Sequence, residues 1–109
     1  MRRVTVAAGL GVIVCALSVA AGGQRNTTTH TVTIESMRFQ PETLTVAAGD
    51  TVVWVNKDLV PHTATSKTGG FDSKTIQAGQ SWKHTVRTKG DIAYLCTFHP
   101  TMKATLRIE

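Results

Sequence analysis

Cysteine is scarce in this 109-residue chain: only Cys15 and Cys96 occur. Cys15 falls within an apolar run from Val4 to Ala21 that follows Arg2 and Arg3 and ends in Ala20-Ala21-Gly22-Gly23. A positive start, an apolar middle and a small-residue end read as a secretory signal peptide, expected over residues 1–23. Lipid attachment at Cys15 is disfavoured by the bulk of Val14 before it. Left uncleaved, the run is just long enough to serve as a membrane anchor. Cleavage would leave 86 residues and a side-chain charge of +3, ten basic groups against seven acidic. It would also leave Cys96 as the single thiol of an exported domain, which excludes an internal disulfide. A lone thiol in an oxidising compartment is a liability unless something occupies it.

Other things are missing too. No stretch beyond the leader sustains a helical period, and neither an internal repeat nor a low-complexity tract appears. Basic residues such as Lys57, Lys67, Lys74, Lys83 and Lys89 stand singly, without interleaved aromatics, so nucleic-acid binding has no support. A mildly basic surface favours an acidic protein partner instead. Residues 24–30 are polar and read as a flexible lead-in; Asn26-Thr27-Thr28 there fits a glycosylation sequon, which has no meaning in a bacterial cell.

What is present over residues 31–109 has a period of two. Val32 and Ile34 alternate with Thr31, Thr33 and Glu35, and Leu44 and Val46 alternate with Thr43 and Thr45. Val52 to Val55 is more evenly apolar, as suits a deeply buried strand. Trp82, His84 and Val86 share a face, as do Ile92, Tyr94 and Cys96, and then Ala104, Leu106 and Ile108. Turn signals punctuate the runs: Ala48-Gly49-Asp50, Asp58 to Pro61, Gly69-Gly70, Ala78-Gly79 and Lys89-Gly90-Asp91. Short strands of this composition predict an all-β sandwich or barrel.

The chemistry is concentrated near the carboxyl end, in Cys96-Thr97-Phe98-His99-Pro100-Thr101-Met102. A thiol, an imidazole and a thioether recur there at three-residue intervals. Far upstream, His62 follows Pro61 in the loop after the Trp54 strand. Two imidazoles and a thiolate in a trigonal plane, with a weak axial methionine, make a blue-copper electron-transfer site. Soft sulfur suits Cu(I), imidazole suits both oxidation states, and a compromise geometry limits rearrangement as the electron moves. Alone, Cys96 would read as a buried structural thiol and Met102 as ordinary core; together with His62 and His99 they read as one ligand set. Methionine is a poor ligand for zinc.

The same residues carry a resemblance. Phe39-Gln40-Pro41, Leu44-Thr45-Val46, Gly49-Asp50-Thr51-Val52-Val53-Trp54-Val55-Asn56, Pro61-His62 and Gly90 to Cys96 resemble the cupredoxin (type 1 blue-copper) family. The likeness spans residues 31 to 108 and is greatest to the amicyanin, plastocyanin and pseudoazurin branch. The short spacings from Cys96 to His99 and from His99 to Met102, with Pro100 after His99, resemble amicyanin. The resemblance implies a Greek-key sandwich holding one copper ion with His62, Cys96, His99 and Met102. It implies a monomeric single-electron shuttle, periplasmic or secreted, between a donor and an acceptor redox protein such as a periplasmic dehydrogenase or cytochrome.

This chain departs from the family pattern in places. Thr63 stands where the family has Asn steadying the cysteine loop, and its hydroxyl is expected to bond toward Thr97. Ile92 and Leu95 replace an aromatic and a histidine of the amicyanins. Pro61, Phe98 and Pro100 are expected to surround the edge of His99 as a small apolar docking patch. His30 is expected to be solvated, His84 packed, Trp54 and Trp82 core fillers, and Asp50 and Asn56 turn formers. The rival reading is a copper-binding or delivery protein with the metal as cargo. A copper oxidase would need paired histidines that the chain lacks.

Overall fold

The computed structural model describes residues 26–109; the expected leader, including Cys15, lies outside them. Nine strands follow in order: β1 (Thr29–Glu35), β2 (Arg38–Gln40), β3 (Thr43–Val46), β4 (Thr51–Asn56), β5 (Thr65–Ser66), β6 (Phe71–Asp72), β7 (Ser81–Thr85), β8 (Gly90–Cys96) and β9 (His99–Ile108). They form a four-stranded sheet, β2-β1-β4-β7, and a five-stranded sheet, β3-β9-β8-β5-β6. β1 pairs with β4, and β3 with β9, in parallel; the other pairings are antiparallel. Every long run of period two became a strand.

The alternation decides what is buried. Val32, Ile34, Val52 and Trp54 from one sheet join Tyr94, Cys96, Met102, Ala104, Leu106 and Ile108 from the other in a single core. Trp54 is fully buried and lies 5.4–5.6 Å, centroid to centroid, from Trp82, Tyr94 and Phe71. Trp82 is only partly buried, packed at the edge of this cluster. His84 packs as expected, stacked on Trp82 at 5.6 Å and against Phe71 at 5.0 Å. Burial pushes its imidazole below the ordinary histidine value, and the Arg87 charge adds to this.

Two expectations need correction. β1 begins at Thr29, inside the stretch read as a flexible lead-in, because its pairing with β4 extends back to Thr29 opposite Thr51. His30, expected in solvent, is half-buried and bonds Asp50 Oδ2 at 2.9 Å. Asp50 is more than a turn former. It is 3% exposed and also accepts the amides of Thr28 (3.0 Å) and Ala47 (3.0 Å). A buried carboxylate needs such donors, and the start of β1 is tied to the turn before β4 to supply them.

The two-residue turn between β1 and β2 is also tied from outside. Ser36 and Met37 hold φ of 55° and 59°, the left-handed values of a tight hairpin, without a glycine. Both amides donate to Asp58, at 2.7 and 3.0 Å. A turn at one sheet edge is thus fastened to the loop that carries His62.

Candidate metal centre

The β4–β5 loop carries His62 into the interior. Asn56 closes β4 fully buried, and its side-chain amide donates to the carbonyls of Val60 and Ile76, both at 2.9 Å, while its carbonyl oxygen accepts the Asp58 amide. His62 and Ile76 then exchange backbone hydrogen bonds of 3.1 and 2.7 Å. The loop is therefore held on both flanks, and the His62 side chain is completely buried. Hydropathy favours no such burial for histidine. Specific bonds impose it.

Cys96 ends β8, also completely buried, and a two-residue turn, Thr97-Phe98, leads to His99 at the start of β9. Cys96 and His99 face each other across that hairpin. Folding brings His62 Nδ1 to 3.7 Å from Cys96 Sγ, and His99 Nδ1 to 3.8 Å from the same sulfur. All three donor atoms lie within 4.8 Å of one another, the one such group among the described residues. Metal–nitrogen bonds of about 2.0 Å and a metal–sulfur bond of about 2.3 Å, opened to about 120°, would separate nitrogen from sulfur by about 3.7 Å. The observed spacing is that of a trigonal N,N,S set.

The surroundings suit a metal as well. His62 Nε2 lies 2.8 Å from Asp58 Oδ2. A carboxylate only accepts, so the neutral ring carries its proton there and presents the Nδ1 lone pair toward the sulfur. Burial alone would raise the Asp58 carboxyl, but the Met37 amide, the His62 ring and the Ser36 amide outweigh it and hold the group below its usual value. The Thr63 amide points at Cys96 Sγ from 3.4 Å, a contact that stabilises a thiolate. The Thr63 hydroxyl meets the Thr97 hydroxyl at 3.0 Å and accepts the Thr97 amide at 2.9 Å. The shorter side chain thus still joins the two ligand loops.

Met102 is buried on β9, three residues after His99. Pro61, Phe98 and Pro100 are all exposed, and His99 is half-buried between them in sequence. Leu59, 95% exposed, and Val60, 43% exposed, precede Pro61 in the same loop and add two exposed apolar side chains that the sequence alone does not single out. Asp58 was likewise read only as part of a turn signal. The His62-minus-four spacing was its one trace.

A family model described as a cupredoxin-like domain matches residues 6–108. The amicyanin of Paracoccus versutus is 32% identical over 83 residues, covering 72% of this chain and 63% of that protein. The amicyanin-alpha of Methylorubrum extorquens is 28% identical, with both chains covered in full. The chain thus spans less than two thirds of the first relative and the whole of the second. Among solved structures, the Cu(I) form of an amicyanin mutant superposes with a TM-score of 0.70 at 26% identity, covering 81% of this chain and 88% of that one.

Proposed function

This chain belongs to the cupredoxin-like family, and from that premise we propose that it is an exported one-electron carrier holding one copper ion with His62, Cys96, His99 and Met102. The observation that carries the reading is the trigonal spacing of His62 Nδ1, Cys96 Sγ and His99 Nδ1 at 3.7 and 3.8 Å across the sulfur. Bound copper would supply a Cu(II)/Cu(I) couple. The protein residues do the rest. Asp58 fixes the tautomer and angle of His62, and the Thr63 amide favours the thiolate of Cys96. The Thr63–Thr97 bonds hold the two loops at one separation, so the donors need not move when the charge changes. Met102, three residues along β9 from His99, would complete the set by offering its thioether sulfur to the metal.

Four protein donors leave no open position for a substrate, which favours a carrier over an enzyme. Leu59, Val60, Phe98 and the two prolines form the apolar rim on which a redox partner, a dehydrogenase or a cytochrome, would seat against His99. Export to the periplasm accords with the leader-like composition of residues 1–23. The described residues contain no helix long and apolar enough to cross a membrane.

The test is optical. Cu(II) added to the purified protein gives an intense visible band that bleaches on reduction, returns on reoxidation and is lost in Cys96→Ser. A colourless complex, or a band that survives the serine substitution, overturns the assignment. Rapid surrender of the metal to an apo-acceptor, without reversible cycling, favours copper delivery instead.

A further inference from the structure

The bond that joins the two ligand loops continues outward to a carboxylate. The Thr65 hydroxyl on β5 lies 3.0 Å from the Thr63 hydroxyl and 3.1 Å from Asp72 Oδ1 on β6. Strand register sets Thr65 beside Asp72 on one side and beside Leu95, the residue before Cys96, on the other. Asp72, Thr65, Thr63 and Thr97 thus form one hydrogen-bonded chain of oxygens that ends in the residue after the thiol. Asp72 Oδ1 also accepts the Lys74 amide at 2.8 Å, and the Lys74 ammonium lies 3.6 Å from Oδ2. The Lys74 amide first, and the Thr65 hydroxyl after it, hold the Asp72 carboxyl below its usual value against the cost of burial. The group is ionised and can only accept.

A hydroxyl has one proton, so such a chain can run in either of two senses. A side-chain amide at position 63 would have fixed donor and acceptor ends; the Thr63 hydroxyl takes its direction from its neighbours. The carboxylate selects one sense. Thr65 donates to Asp72, its oxygen accepts the Thr63 proton, and the Thr63 oxygen accepts the Thr97 hydroxyl together with the Thr97 amide at 2.9 Å. Every hydroxyl proton then lies on the Asp72 side of its oxygen. The three dipoles turn their negative ends toward Cys96 and its neighbours, where low solvent access gives oriented dipoles more weight. We propose that Asp72 is a positioning residue of the metal centre: through Thr65 it sets the direction of the hydroxyl chain and so favours the oxidised metal. The proposal rests on the electron-carrier reading. With no acceptor on β6, the Thr65 proton turns to Thr63 and the Thr63 proton to Thr97, and the dipoles reverse to favour Cu(I).

Redox titration of the copper-loaded full chain separates direction from charge. Thr65→Val removes the link and keeps the carboxylate. Asp72→Asn removes the charge and keeps an oxygen for Thr65, steadied by the Lys74 amide. Asp72→Ala removes both. At the native midpoint, the ratio of reduced to oxidised protein should rise about fivefold in Thr65→Val and in Asp72→Ala. Thr65→Ser and Asp72→Asn should stay near the native ratio, and the Thr65→Val/Asp72→Ala double variant should shift no further than either single one. Because Thr65→Val leaves the β5–β6 backbone pairing in place, it guards against a folding effect of Asp72→Ala. Neutron diffraction of the native protein should place the Thr63 deuteron on the line to Thr65. A deuteron directed at Thr97, potentials unmoved by Thr65→Val, or an Asp72→Asn shift as large as that of Asp72→Ala overturns the proposal. A native protein without a reversible copper couple fails the carrier reading and this one with it; an intact couple that ignores Thr65 fails only this one.

Discussion

Two histidine–aspartate pairs flank β4, one beyond each end, and they have opposite character. Beyond the last residue of β4, His62 is completely buried and its partner Asp58 is 14% exposed, with 2.8 Å between them. Before its first residue, the Asp50 side chain is 4% exposed and that of its partner His30 is 23% exposed, with 2.9 Å between them. The local chemistry is the same, yet the buried member is exchanged. At the Asp50 end the carboxylate is the hub, collecting the Thr28 and Ala47 amides as well as His30, and so it organises backbone. At the Asp58 end the imidazole is the hub, and its second nitrogen meets Cys96 Sγ. A histidine–carboxylate pair becomes a candidate metal site only where the free ring nitrogen finds other donors.

Mutation can break this contrast. Asp50→Ala strands two amides and a histidine in a largely buried place, and a loss of about 3 kcal/mol is expected. Urea unfolding should register it, while the visible band of the copper-loaded protein stays unchanged. Loss of the band together with stability would mean that the two ends are not separable.

Asp58→Ala should do the reverse. Stability is expected to fall by only about 1–2 kcal/mol. Copper affinity should drop at least about tenfold, because the carboxylate orients a ligand. Competition with a chelator of known affinity measures this, and an unchanged affinity would remove Asp58 from the site.

The smallest effect sharpens the comparison through a third imidazole. His84 packs among Trp82 and Phe71, and its folded pKa lies below the unfolded one, which is near 6.5. Between the two values the unfolded chain binds the extra proton. The contribution of His84 is therefore complete above about pH 6.5 and declines as pH falls through the folded value. In His84→Phe, the slope of stability against pH just below 6.5 should be shallower than in the native chain. An identical slope would place the titrating group elsewhere.

Much of the fold was legible because strand periodicity is local. The runs around Val32, Trp54, Tyr94 and Leu106 alternate strongly enough to fix both element type and buried face. The strands that escaped notice, β2, β5 and β6, have two or three residues each, too few to show a period. Three of the four expected ligands were likewise readable as a group, since Cys96, His99 and Met102 share one short hairpin segment. His62 was recoverable from its position after the Trp54 strand and from the resemblance that Pro61-His62 carries. Asp58 was not recoverable as its partner, because a carboxylate in a turn looks like any other turn former.

The sequence by itself determined that this is a β protein, with one thiol, Cys96, beyond the segment expected to be a leader, and with a thiol–imidazole–thioether series between two strands. These follow from residue identity and near-neighbour spacing. Tertiary structure alone decided that His62 meets Cys96 across 34 positions, that Asp58 rather than Asp50 turns an imidazole toward sulfur, and that the hydroxyls starting at Asp72 lead on to Thr97. The physical reason is common to all three: each depends on the pairing order and register of strands remote in sequence, and no local pattern encodes which strand lies beside which.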